Sequence, residues 1–216
     1  MAMMDKLLPI TGIGSLPHTD IESAVNFSLK FDIPFLPELT KIESSLKIHT
    51  IEDFKCFDFF IQKVKEVGTF KTQCFHDSKR EFMKREIHFI DDPQMKMKSH
   101  ASPIALHCCN KVTMEYITSN NITHLSFDAN LIEEPKEFIN ELLARGITPI
   151  VGVVSTHDES ISLCHNFEYW KPVLRDNVLN CWLAPACGLS RYTEEEAEEV
   201  LELLQETRRE LLRAIS

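Results

Sequence analysis

Eight short runs of β-forming residues recur along this chain, and most are separated by stretches with helical periodicity. The runs are Ile10–Ser15, Ile33–Leu39, Thr69–Phe75, Glu86–Asp91, Ile104–Cys108, His124–Phe127, Thr148–Val154 and Asn180–Ala184. Parallel neighbours need a crossover, usually a helix, so such alternation specifies a mostly parallel sheet covered by helices. Helical patterns are predicted over Asp20–Phe31, Ile51–Val67, Lys111–Asn120, Pro135–Arg145 and Thr193–Ile215. Thr193 and Glu196 have capping-box spacing, and Gly68 and Gly146 fall where helices should stop. Eight parallel strands close naturally into a barrel, so the expected architecture is an α/β (β/α)8 TIM barrel, one domain over residues 1–216. Its site should lie at the carboxyl ends of the strands.

Two crossovers look too short for a helix. His76 to Arg85 and Pro93 to Ser102 each supply ten residues, so helices should be reduced or missing after strands three and four. The bare outer faces that result predict a homodimer that covers them.

With 216 residues and 44% hydrophobic content, the chain can bury one sizeable core, and no repeat or low-complexity tract divides it. The formal net charge of -10 argues against a nucleic-acid partner, which would call for clustered Lys and Arg. Residues 193–216 hold eight Glu and three Arg, so half of that charge reads as one solvated helix face. Seven cysteines, an odd number, and a start without a signal-peptide core point to a reducing cytoplasm. No apolar stretch approaches the roughly 20 residues that span a bilayer, so no membrane segment is expected.

The chemistry-bearing residues sit at the ends of these runs. His107 and Cys109 flank Cys108 at the end of the fifth, Asp128 ends the sixth, and Cys187 follows the eighth. Alternate side chains of a strand share a face, so His107 and Cys109 can point inward together while Cys108 points toward the helices. Imidazole, thiolate and carboxylate are the ligands zinc accepts, and three strands would deliver them to one rim. Asp128 has an alternative, capping the turn that follows it, and Cys187 precedes a glycine that lets its backbone turn sharply. Thr11-Gly-Ile-Gly-Ser-Leu-Pro-His18 reads as a small-molecule cradle without being a dinucleotide or phosphate fingerprint. Asp91 and Asp92 either hold an amino group or begin a loop, and Glu38 is a further carboxylate at a strand end. His157, at the mouth of the seventh run, has a near-neutral imidazole suited to general acid work, although a lone loop histidine commonly has no role.

Six segments in this order resemble the catalytic barrel of cobalamin-independent methionine synthase and its stand-alone relatives, within the uroporphyrinogen-decarboxylase-like barrel superfamily. They are Thr11–His18, Ile33–Glu38, Ile90–Pro93, Leu106–Cys109, Leu125–Ala129 and Pro185–Leu189, and together they span nearly the whole chain. The resemblance implies a zinc-dependent methyltransferase that forms methionine or a related thioether from a thiol such as homocysteine. It places the zinc ligands at His107, Cys109 and Cys187, with Asp128 where the synthases carry glutamate. It implies homocysteine binding by Ile13, Gly14 and Ser15, an amino-group receptor at Glu38 and Asp91, and an acid role for His157. Met97 stands where the two-domain synthases carry a folate-binding glutamate, which turns the expected methyl donor toward a corrinoid protein or another source. The alternative is a shortened, non-catalytic relative that retains metal and small-molecule binding.

Overall fold

A computed structural model describes residues 7–43, 50–65, 68–74, 86–92, 104–156 and 160–213. It is a mixed α/β structure whose sheet, dominated by parallel pairings, curls into a half-barrel with helices packed outside. The strands are β1 Phe70–Cys74, β2 Glu86–Asp91, β3 Ile104–Cys108, β4 Ile122–Asp128, β5 Thr148–Ser155, β6 Ser162–Leu163 and β7 Trp182–Pro185. Successive strands from β1 to β5 pair in parallel, β7 pairs in parallel with β5, and the two-residue β6 pairs antiparallel with β5.

The helices are α1 Ile21–Ser28, α2 Phe57–Val64, α3 Met114–Thr118, α4 Pro135–Ala144, α5 Phe167–Asp176 and α6 Glu194–Arg213. Their termini are set by local chemistry. Asp20 caps α1 by accepting from Ser23 N at 2.7 Å. At α6, Thr193 N donates to Glu196 Oε2 at 2.7 Å while Glu196 N donates to Thr193 Oγ1 at 3.1 Å, completing the capping box. Gly146 follows α4 with φ +73, where a left-handed residue lets its N–H reach Leu143 O at 3.0 Å. The pattern over Ile51–Val67 resolves into a 3-10 turn at Ile51–Asp53 followed by α2.

The first two expected strands take a looser form. Isolated parallel bridges join Ile10 to Leu183, Thr11 to Ile33, Ser15 to Glu38 and Phe35 to Lys71. Ile33-Pro-Phe-Leu-Pro-Glu38 carries two prolines, which have no N–H to donate, so a continuous ladder cannot form there. What remains is anchored firmly: Leu36 N donates to Lys71 O at 2.8 Å, and Lys71 N to Pro34 O at 2.7 Å. The crossovers His76–Arg85 and Pro93–Ser102 lie outside the described residues, whereas β1 to β3, whose outer faces a second copy is expected to cover, are described and bury Phe70, Ile90, Leu106 and Cys108.

Strand alternation sorts the side chains into two cores. Outside the sheet, Leu106, Cys108, Leu125, Phe127, Val151 and Leu183 pack against Ile139, Trp170, Leu174, Val200 and Leu204 of the helices. Inside the curl lies a smaller group, Phe89, Ala105, Ile150 and Ala184, flanked by Ile87 and Trp182. No helix among the described residues is long and apolar enough to cross a membrane.

Candidate metal centre

On β3, Ala105 faces the inner core while Leu106 and Cys108 face the outer one, so His107 points into the curl. His107 is fully buried and stands opposite Ser126 of β4, whose Oγ meets its Nδ1 at 2.9 Å. The other ring nitrogen, Nε2, is buried without a hydrogen-bond partner among the described residues. Such an orphan calls for an explanation. The explanation is beside it: a ring nitrogen of His107 and the sulfurs of Cys109 and Cys187 all lie within 4.8 Å of one another.

Cys187 reaches this position from the far side of the sheet, since β4 and β5 lie between β3 and β7. Two glycines make room for its segment. The β5–β7 register shifts between Gly152 and Val154, and a Cβ on Gly152 would stand 2.6 Å from Ala186 Cα and 2.7 Å from Phe127 O. A Cβ on Gly188 would meet Ser15 Oγ at 1.7 Å and Ser15 Cβ at 3.0 Å, so a glycine after Cys187 lets Ser15 approach this closely. Leu189 N then ties the two segments by donating to Ser15 O at 2.7 Å.

The two thiols share their acidity. A hydrogen bond from Cys109 lowers the pKa of Cys187 against the opposing effect of burial, with the His107 ring assisting, while the same bond raises that of Cys109. The pair therefore favours one thiolate, on Cys187, and one thiol. A thiolate, a second sulfur and a buried imidazole nitrogen without a partner fit a metal ion, and this group could hold one.

Asp128 ends β4, buried, but its Oδ1 accepts from Asn130 N at 2.8 Å and caps the 3-10 turn Ala129–Leu131. It is not a member of the His107, Cys109 and Cys187 group. Of the other expected site residues, Ile13 and Gly14 are buried and Ser15 is half-buried beside Glu38. Glu38 N donates to Gly14 O at 2.7 Å and Leu16 N to Glu38 O at 2.9 Å, which fixes the cradle against the second run. Burial, and then the neighbouring Glu43 and Asp91 carboxylates, push the Glu38 carboxyl up to about 7. Asp91 stands opposite His107 in the β2–β3 register, and burial raises its pKa. Asp92 takes a hydrogen bond from the Tyr116 hydroxyl. His157 lies outside the described residues.

Three polar residues of this interior were not singled out by sequence reasoning. Ser126 orients His107. Lys71, fully buried on β1, donates from Nζ to Gly12 O at 3.0 Å and sits 4.4 Å from the Phe89 ring centroid. Burial drives its amine down to about 7 against the attraction of Asp91 and Cys187. Gln73, next inward on the same strand, donates from Nε2 to Asp91 Oδ2 at 3.3 Å. The signal was available: Phe70-Lys-Thr-Gln-Cys74 puts long polar side chains at alternate positions of a run expected to be buried on both faces.

A separate cavity of about 400 Å³ lies beside α4, lined by Val112, Leu131, Phe138, Glu133, Glu137 and Glu141 among others, and contains none of these residues. Compared with protein-family models, with curated proteins and with solved structures, the chain matches none.

Proposed function

We propose that this chain is a zinc-dependent S-methyltransferase built on a complete eight-stranded barrel of the methionine synthase type. The observation that carries the proposal is the convergence of His107, Cys109 and Cys187 inside the curl of the sheet. Closure of the barrel is supported by the parallel bridges that set the Ile10–Ser15 run beside β7 and the Ile33–Leu39 run beside β1. Membership of the family rests on the six segments in order, from which His107, Cys109 and Cys187 converge.

Three protein donors are the number found in catalytic rather than structural zinc sites, where a fourth position is left for substrate or water. Zinc bound there would keep a thiol such as homocysteine ionised at neutral pH, the form in which sulfur is nucleophilic. The chain's own residues do the rest. Ser126 fixes the His107 ring, Ile13, Gly14 and Ser15 line the approach, and Glu38 and Asp91 receive the substrate's amino group, with His157 as the acid. The substrate sulfur attacks an activated methyl carbon: a C–S bond forms, the methyl–donor bond breaks, and the donor leaves with the electron pair. Positioning the two reactants and excluding water account for the rate. The donor we favour is a methyl-corrinoid protein, and the partner over the outer faces of β1 to β3 is a second copy of the chain.

Elemental analysis of purified protein should give about one zinc per chain. Cys109→Ser and Cys187→Ser should each lose it with the fold retained by circular dichroism. Cys108→Ser, whose sulfur faces the outer core, should keep it. Equal loss in all three variants would refute the assignment. Zinc binding without methionine from homocysteine and any donor would leave a shortened relative that binds metal but no longer transfers methyl groups.

A further inference from the structure

Gln73 and Asp91 meet side by side inside the curl, and each leaves one oxygen over. Gln73 Nε2 donates to Asp91 Oδ2 at 3.3 Å, while Gln73 Oε1 and Asp91 Oδ1 are buried with no hydrogen-bond partner among the described residues. The orientation of the amide is fixed by chemistry, because a carboxylate can only accept and so must face the NH2 group. Both unused atoms are therefore acceptors. Burying two acceptors without donors is costly, and the expected occupant is a group that brings several N–H bonds.

The surroundings define its charge and location. Glu38 lies near enough to Asp91 for their charges to interact, whereas the amine of Lys71 donates to Gly12 O rather than to either free oxygen. The Cβ of Gln73 lies 4.0 Å from where a side chain on Gly14 would begin, so the pair borders the glycine segment. Asp91 stands opposite His107, so it borders the metal-ligand group as well.

We propose that Gln73 is a specificity-determining residue: its amide holds Asp91 in place, and its carbonyl oxygen, with Asp91 Oδ1, forms a two-acceptor receptor for the protonated primary amine of the substrate. The assignment rests on the site proposed above but needs no metal for its test. Substrates that lack the amine leave both oxygens unpaired and are rejected for that reason.

The experiment compares L-norleucine with hexanoate, a pair that differs only in the amine and has no sulfur to engage a metal. Binding to the full chain is followed by calorimetry, with zinc content measured on the same samples. The wild-type protein should bind norleucine at least about tenfold more tightly. Gln73→Leu should reduce that ratio below about threefold with zinc content unchanged. A wild-type ratio near one, or no binding of either ligand, would overturn the assignment, since solvent would then satisfy the two oxygens. An unchanged ratio in Gln73→Leu would overturn it too. Protein that lacks zinc yet shows a Gln73-dependent preference refutes the metal proposal alone; zinc-loaded protein without the preference refutes this one alone.

Discussion

Replacing Lys71 with methionine should change how stability depends on pH in a way that can be worked out in advance. The amine is fully buried and its pKa falls from 10.5 in the unfolded chain to about 7 in the fold. Between those values the unfolded state holds a proton that the folded state does not, so stability rises with pH across the window. The contribution is greatest above 10.5 and is lost as pH falls toward 7. For these two pKa values the gain from pH 7 to pH 10 is on the order of 3–4 kcal/mol. Methionine keeps the length of the side chain but cannot titrate, so Lys71→Met should lack this rise. Loss of the bond to Gly12 O should cost about 1–3 kcal/mol at every pH, because that carbonyl is left unpaired. Urea unfolding of both proteins at pH 7, 8, 9 and 10, under reducing conditions and with a chelator, measures the difference directly. If the stability difference between wild type and variant changes by less than about 1 kcal/mol across this range, burial does not hold the amine neutral and water reaches the sheet interior.

Three further expectations concern the metal centre and its supports. Ser126→Ala should weaken zinc binding by roughly 10–100-fold in a competition titration with a chromophoric chelator, because it frees the His107 ring; unchanged affinity would count against the role of that contact. Asp128→Asn should keep full zinc stoichiometry, since asparagine caps a turn as well as aspartate does; loss of zinc by elemental analysis would make Asp128 a ligand after all. Gly12→Ala drives a methyl to within 2.2 Å of the Phe35 ring, itself packed edge-on against Phe31. It should cost about 2 kcal/mol and lower Tm by roughly 4–8 °C in calorimetry, and an unchanged Tm would show that the ring is not confined.

What could be read from the sequence was whatever local periodicity controls. The alternation of Ile104–Cys108 separates His107 from Cys108 because a strand has a period of two and both faces are buried. The cap of α6 was legible because Thr193 and Glu196 are three residues apart on one turn. What escaped depends on geometry that spacing does not encode. The pattern left Asp128 open between ligand and cap, and the backbone N–H of Asn130 decides how its Oδ1 is used. The helix Phe167–Asp176 was missed because Pro172 stands inside it, and proline reads as a stop when its carbonyl partner cannot be seen to be dispensable. The expected strand Ile33–Leu39 shortened to bridges because its two prolines, Pro34 and Pro37, lack donors. Lys71 and Gln73 were passed over as ordinary polar residues, since only the pairing of β1 with β2 shows that their side of the strand is the inner one.

The separation of Cys187 from its companions also bears on when the site comes into being during synthesis. His107 and Cys109 leave the ribosome long before β7 does, and a ring nitrogen with a single sulfur is a poor trap for a metal. Any loading of a metal would await β7, which seats only once β5 can pair with it and Gly188 can lie against Ser15. A nascent chain stalled before residue 187 would then carry its thiols without a metal, and an ion held here would mark a chain in which β7 and the turn after it have been made.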